Sequence, residues 1–146
     1  KESSAASDVY KRQDKEMVAL SKRLANYFLN RLPEDAVCHW DLALVGTDAL
    51  RDSSSAAIAV CGLLELVKQL PVTDPDRAHY QQWAMRIMSS LSKHYLAGKQ
   101  EATNGLLKHS VYHLSSNKGV DECASWGDYF YVEALARFSL SWKLYW

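Results

Sequence analysis

The feature that most constrains this chain is a pair of segments with almost no polar face. Between Ser53 and Leu70, residues Ala56 to Leu64 follow one another without a charge. From about Asp128 to Trp142, the residues Tyr129, Phe130, Val132, Ala134, Leu135, Ala136 and Phe138 leave few polar positions. Both segments are long enough for helices, and a helix that is apolar on most sides must be covered on most sides. Asp52 and the serines after it supply an N-cap for the first, and Ser125 and Asp128 stand in capping positions for the second.

Two further helices are of the ordinary amphipathic kind. From Asp14 to about Leu32, Met17, Leu20, Leu24, Tyr27 and Phe28 recur at three- and four-residue steps, with Lys15, Lys22 and Arg23 between them. The other starts with Asp74 as cap and Pro75 at the first helical position, and carries Tyr80, Trp83, Ala84, Ile87, Leu91 and Tyr95 as one stripe up to Gly98. Pro33, Pro71 and Pro75 all fall between the apolar-periodic segments. No alternating strand pattern competes, and the best candidate for an extended piece is 111–114. The expected class is all-α, with outer amphipathic and inner apolar helices alternating as in a helical toroid or solenoid. A plain four-helix bundle has no need of two nearly all-apolar members.

Seventeen basic side chains balance 17 acidic ones, which leaves no excess positive field for a phosphate backbone, so nucleic acid is not expected as a partner. No run of 18 apolar residues is present and the first residues are polar. Neither a membrane span nor a secretory signal is read, and the expected location is the cytoplasm. Cys38, Cys61 and Cys123 are odd in number and far apart, the pattern of reduced thiols. Residues 1–13 lack an amphipathic repeat and resemble translated adapter sequence; they are read as a non-native or flexible tail before a domain at 14–146.

Candidate functional residues gather in two long connections, about 33–52 and 98–127. The first holds Cys38, His39, Trp40, Asp41 and Arg51; the second holds His109, Tyr112, His113, Ser116, Lys118, Asp121 and Trp126. His109 and His113 would share a helix face as metal ligands, but the serines and glycines around them argue for a loop and spacing supplies no third ligand, so no metal is expected. Asp41, Asp48, Asp52, Asp121, Glu122 and Asp128 could serve as acid or base, although Asp52 and Asp128 read better as caps. Trp83, Trp142 and Trp146 suit core packing. Trp40 and Trp126, in the connections beside acidic residues, suit sugar stacking and packing equally.

Three pieces resemble a known family: WDLALVGTDALRDSSSAAIAVCGLLEL (40–66), GLLKHSVYHLSSNKGVDE (105–122) and WGDYFYVEALARF (126–138). They are similar to the C-terminal part of unsaturated glucuronyl hydrolases, glycoside hydrolases that remove an unsaturated uronic acid from lyase-generated oligosaccharides. The resemblance implies a six-hairpin (α/α)6 barrel of which this chain is the C-terminal part. The N-terminal half would be its partner and would cover the two apolar helices.

The implied chemistry is hydration of the C4=C5 double bond, a vinyl ether: an aspartic acid protonates C4, water adds at C5, and the hemiketal opens to release the partner sugar. The acid/base and its companion aspartate belong to the N-terminal half in this family, so no catalytic residue is assigned here. The chain alone is expected to be inactive, to need no cofactor, and to expose apolar helix faces that favour self-association.

Family members acting on sulfated glycosaminoglycan fragments carry a Ser-x-x-Ser-x-Lys pattern that holds sulfate. Here Ser116 and Lys118 match it, and His113 replaces the first serine. The implied substrate-binding residues are His113, Ser116 and Lys118, with Trp40 and Trp126, and the implied partner is an unsaturated uronic-acid oligosaccharide. Two readings compete. One is the neighbouring unsaturated rhamnogalacturonyl hydrolases, against which RDSS (51–54) and WGDYF (126–130) weigh. The other is a non-catalytic helical interaction module.

Overall fold

A computed structural model describes residues 15–44 and 49–140. Four helices follow in order: α1 (Lys15–Leu29), α2 (Ser53–Gln69), α3 (Asp76–Ser90) and α4 (Ser125–Ser139). A π-helical turn, Leu91–Tyr95, extends α3, and a hairpin of β1 (Ser110–His113) and β2 (Lys118–Glu122) precedes α4. The tail at 1–13, Asp14, Asp48, Trp142 and Trp146 lie outside the described residues.

The apolar α2 is the central element, with α3 packed on one side and α4 on the other. Ala56, Ala57 and Val60 are wholly buried there. Their small side chains let both neighbours approach closely. The amphipathic stripe of α3 faces this core: Tyr80, Ala84 and Ile87 are inaccessible, Trp83 is half-buried against them, and the stripe runs on through Leu91 and Tyr95. Asp74 caps α3 by accepting from the Asp76 N–H at 2.9 Å, and Pro75 already has helical angles.

Three expectations are corrected. The chain is mainly helical but not all-α, because 110–122 forms a two-stranded antiparallel sheet. Only 111–114 looks extended in sequence; β2, Lys-Gly-Val-Asp-Glu, has little strand preference of its own and is drawn out by pairing with β1.

The covering of α2 also differs, whereas α4 exposes an apolar face as expected. Most of α2 is shielded by this chain's own α3 and α4, leaving Ile58 exposed. Much of the apolar surface of α4 stays open at Tyr129, Val132, Leu135 and Phe138, while its charges turn inward. Arg137 reaches Glu133 Oε1 at 2.6 Å and Glu65 Oε2 of α2 at 3.1 Å, and both Arg137 and Glu133 side chains are almost fully buried. In α1 the periodic residues Met17, Leu20, Leu24 and Tyr27 are likewise exposed; of that set Phe28 packs against the core, together with Val18, Ala25 and Leu29.

The third correction concerns Asp128. It lies in the first turn of α4 but does not cap it, and the residue at the cap, Ala124, offers no side-chain bond. Asp128 Oδ1 instead accepts the backbone N–H groups of Leu106 and Leu107 at 3.0 and 2.8 Å, tying the preceding connection to the helix.

With Leu24 61% and Val132 51% exposed, burying one such side chain is worth about 1.5–3 kcal/mol. The chain is therefore expected to self-associate. Sedimentation velocity at rising concentration should show species heavier than the 16.5 kDa monomer. The double change Val132→Glu and Leu135→Glu should restore the monomer, and unchanged association would contradict this assignment of the sticky surface.

Candidate functional site

The N-terminus of α2 organises the loops that carry the candidate residues. Asp52 is buried, and its Oδ1 accepts from the N–H groups of Ser54 and Ser55 at 3.1 and 3.4 Å and from Ser54 Oγ at 2.6 Å. The backbone around this cap gathers both connections. Asp52 N–H donates to the Cys38 carbonyl at 2.9 Å, and Ser53 N–H donates to the His109 carbonyl at 3.1 Å. Ser53 Oγ and Ser110 Oγ meet at 3.2 Å, and the Trp126 indole N–H donates to Ser54 Oγ at 3.1 Å. At Gly127 an added Cβ would stand 3.1 Å from the Ser54 Cβ, so the start of α4 presses directly on the start of α2.

Beside the cap lies a polar cluster. Asp35 Oδ2 accepts from Tyr95 OH at 2.7 Å and from Arg51 Nε at 3.1 Å. Arg51 Nη1 also lies 2.8 Å from His39 Nδ1, which in turn lies 3.1 Å from the Ala49 carbonyl. Burial raises the Asp35 carboxyl, but the Tyr95 hydroxyl and the Arg51 guanidinium outweigh it and hold the group below the usual carboxylate range. Burial, and then the neighbouring Asp35, push the Tyr95 phenol upward. Burial likewise pushes the Cys38 and Cys61 thiols up to about 12, which leaves them inert.

The hairpin stands on this platform. Ser110 pairs with Glu122 and Val111 with Val120, so Asp121 is an extra residue in β2, a bulge. Asp121 and His109 both adopt left-handed backbone angles, φ 61° and 67°, and their side chains meet at 2.6 Å across the hairpin's base. The His109 ring packs edge-on against Tyr95 with centroids 5.7 Å apart. Two shallow clefts of about 450 and 460 Å³ flank this pair. Glu101 and Lys108 line one; Arg51, His94 and Tyr95 line the other.

At the tip, His113 Nδ1 accepts from the Ser116 N–H, closing a single 3₁₀ turn. Asn117 and Gly119 follow with φ 49° and 55°, and a side chain at Gly119 would also crowd Tyr112 at 3.0 Å. Lys118 is the cross-strand partner of His113.

The fold thus brings His113, Ser116 and Lys118 together on one turn. Trp126, 40% exposed, is held near them through its ring contact with Tyr112 at 5.6 Å. Trp40 is equally exposed but sits apart, on a segment whose N–H pairs with the Leu50 carbonyl. Neither cleft at the hairpin's base is lined by these five residues. His109 and His113 serve different partners, Asp121 and Ser116. Two contributors are absent from the sequence reading: Asp35, and Tyr95 as a polar anchor. Ser54 is part of the Asp52–serine cap that the sequence shows, and its added role is to accept the Trp126 indole N–H.

With this geometry in hand, comparison with known proteins is direct. No protein-family model matches the chain. The curated unsaturated chondroitin disaccharide hydrolase of Streptococcus agalactiae is 47% identical over 93% of this chain and 34% of its own length. The unsaturated glucuronyl hydrolase of Bacillus sp. is 35% identical over 90% of the chain and 35% of its own length. A crystal structure of the S. agalactiae unsaturated glucuronyl hydrolase superposes with TM-score 0.88 at 46% identity, covering 95% of this chain and 40% of that one. The Bacillus structure does so with TM-score 0.80 at 35% identity, covering 86% and 33%.

These are mainly helical glycoside hydrolases, and the chain belongs to their family, the unsaturated glucuronyl hydrolases. It spans about a third of the length of the curated relatives it matches.

Two stability measurements test this architecture. Asp52→Ala removes a cap and strands buried serine hydroxyls, at a cost of about 2–3 kcal/mol in urea unfolding, whereas Asp52→Asn retains most of the stability. A loss below about 0.5 kcal/mol would show that the cap is not central.

Asp35 gives a pH signature. A carboxyl held low in the folded state contributes fully above its unfolded value, and that contribution is lost as pH falls through its folded value. The melting-temperature gap between wild type and Asp35→Asn should therefore be widest at neutral pH and close below the ordinary carboxylate range. A gap independent of pH would contradict the Tyr95–Asp35–Arg51 account.

Proposed function

We propose that residues 14–146 form the C-terminal part of an (α/α)6-barrel unsaturated glucuronyl hydrolase acting on glycosaminoglycan-type unsaturated oligosaccharides. In this reading the N-terminal half of the barrel packs on the open faces of α1 and α4. It also supplies the aspartic acid that protonates C4 of the substrate's double bond and the companion carboxylate. Water then adds at C5, and opening of the hemiketal releases the partner sugar. No cofactor takes part in this scheme.

The role of this chain is to hold the substrate. His113, Ser116 and Lys118 at the hairpin tip offer hydrogen bonds and a positive charge to the partner sugar, the exposed indole of Trp126 offers a flat apolar surface to its ring, and Trp40, exposed but apart from the tip, offers a second such surface to the oligosaccharide. The observation that carries the reading is the pairing of a family-matched scaffold with this convergent tip. A solved structure of the S. agalactiae relative holds the disaccharide dGlcA-GalNAc6S, which supports a substrate of this class.

The test uses the full-length protein that carries this segment. It should hydrate unsaturated chondroitin-type disaccharides, followed by loss of the double bond's ultraviolet absorbance. Lys118→Ala should raise KM about tenfold with little change in kcat, the pattern of a lost binding contact. Turnover of rhamnogalacturonan-type disaccharides alone would overturn the proposal, and an unchanged KM would remove Lys118 from the site.

A further inference from the structure

Four residues other than glycine hold left-handed backbone angles among the described residues: Ala36, His109, Asn117 and Asp121. Glycine would take such angles without steric cost, so a larger residue there points to a use for its side chain. His109 and Asp121 are the two of the four whose side chains bond to each other, at 2.6 Å across the base of the hairpin. An ionised carboxylate only accepts, so His109 Nδ1 is the donor.

The two partners are anchored very differently. On the His109 side the backbone is fixed to the body of the fold: its carbonyl accepts from Ser53 N–H at the start of α2, and Lys108 N–H donates to the Tyr95 carbonyl at 2.9 Å. The His109 ring also rests edge-on against Tyr95, whose hydroxyl is held by Asp35. The returning strand lacks such ties. While β1 packs on α2, β2 packs mainly on β1 and on the turn at the tip. Asp121, the bulged residue, has no partner in the ladder, and its side chain links this strand to the floor. With the two side chains 41% and 52% exposed, water competes for the bond and it adds little to global stability. What it governs is direction.

We infer, resting on the reading of the tip as a sugar-contacting loop, that His109 and Asp121 are positioning residues for the hydration reaction. Their bond sets the angle at which the hairpin carries its tip toward the substrate, and the two left-handed residues are the strain that this aim requires. Both act through the hairpin and neither is assigned a contact with the sugar.

The full-length protein that carries this segment supports the test. Asp121→Gly removes the bond yet suits the left-handed backbone, whereas Asp121→Asn keeps an acceptor oxygen and tolerates the same angles. Asp121→Gly should leave the urea midpoint and the amide exchange of α2 and α3 as in wild type, while exchange across 110–122 quickens about tenfold. Its KM should rise about fivefold with kcat unchanged, and Asp121→Asn should stay within about twofold of wild type in both exchange and KM. His109→Gly should raise KM similarly, and the double variant should be no worse than either single one, because both changes remove the same bond. Wild-type hairpin exchange or wild-type KM in Asp121→Gly overturns the inference, as does an Asp121→Asn variant as impaired as the glycine. Additive effects in the double variant, or faster exchange in α2 and α3 as well, overturn it too. Lys118→Ala serves as the reference. Should it raise KM where Asp121→Gly does not, the inference fails and the tip remains a saccharide site; should it leave KM unmoved, the reading of the tip fails and the inference falls with it.

Discussion

The fold's loop architecture depends on one carboxylate. An apolar helix such as α2 begins with several backbone N–H groups that have no partner in the helix, and here they point into a buried place where water cannot serve them. Asp52 answers two of these donors and two serine hydroxyls at once. Because the cap must be buried to sit there, the chain around it is buried too, and its own polar groups find partners in the neighbouring connections. The Cys38 carbonyl, the His109 carbonyl and the Ser110 hydroxyl are all held in this way. Two loops remote in sequence are thereby fixed against one helix end, and the hairpin has a floor to stand on.

That arrangement explains why chemistry-bearing residues are displayed and not absorbed. Polar side chains near the floor are consumed in structural bonds: Asp35 by Tyr95 and Arg51, Asp128 by two backbone N–H groups, His109 by Asp121. The left-handed angles of His109 and Asp121 cost energy for non-glycine residues, and the bulge they define aims the strands above it. Only at the tip does the hairpin present groups with capacity left over. His113 is intermediate in kind, since one ring nitrogen is occupied by the turn and the other is not part of it.

What could be read beforehand follows from how local each signal is. The α3 stripe, its Asp74 cap and the Asp52 cap rest on contacts within a few residues, and the structure reproduces them. The direction of an apolar stripe is not a local property. Periodicity marked Met17, Leu20, Leu24, Tyr27 and Phe28 as one face of α1, yet of these only Phe28 packs on the core, which otherwise takes Val18, Ala25 and Leu29. In α4 the inversion goes further, because the buried Glu133–Arg137–Glu65 group displaces the expected pattern of charges outside and apolar groups inside. Asp128 was misjudged because a carboxylate in a first turn serves its own helix or another segment equally well, and only tertiary structure decides. The hairpin was half visible, since β2 owes its extension to a partner and its bulge to a side-chain pair twelve residues apart. Of the site, the tip residues were legible through family resemblance, and the proton arrangement among them was not.

Amide hydrogen exchange under native conditions tests the central role of the α2 cap most directly. The amides of Ser53, Ser54 and Ser55, normally among the first to fray in a helix, should exchange as slowly as those of Val60 and Leu63 in its middle, opening only with global unfolding. Fast, independent exchange at these three residues, with the helix interior still protected, would contradict the claim that this end of α2 anchors the loops above it.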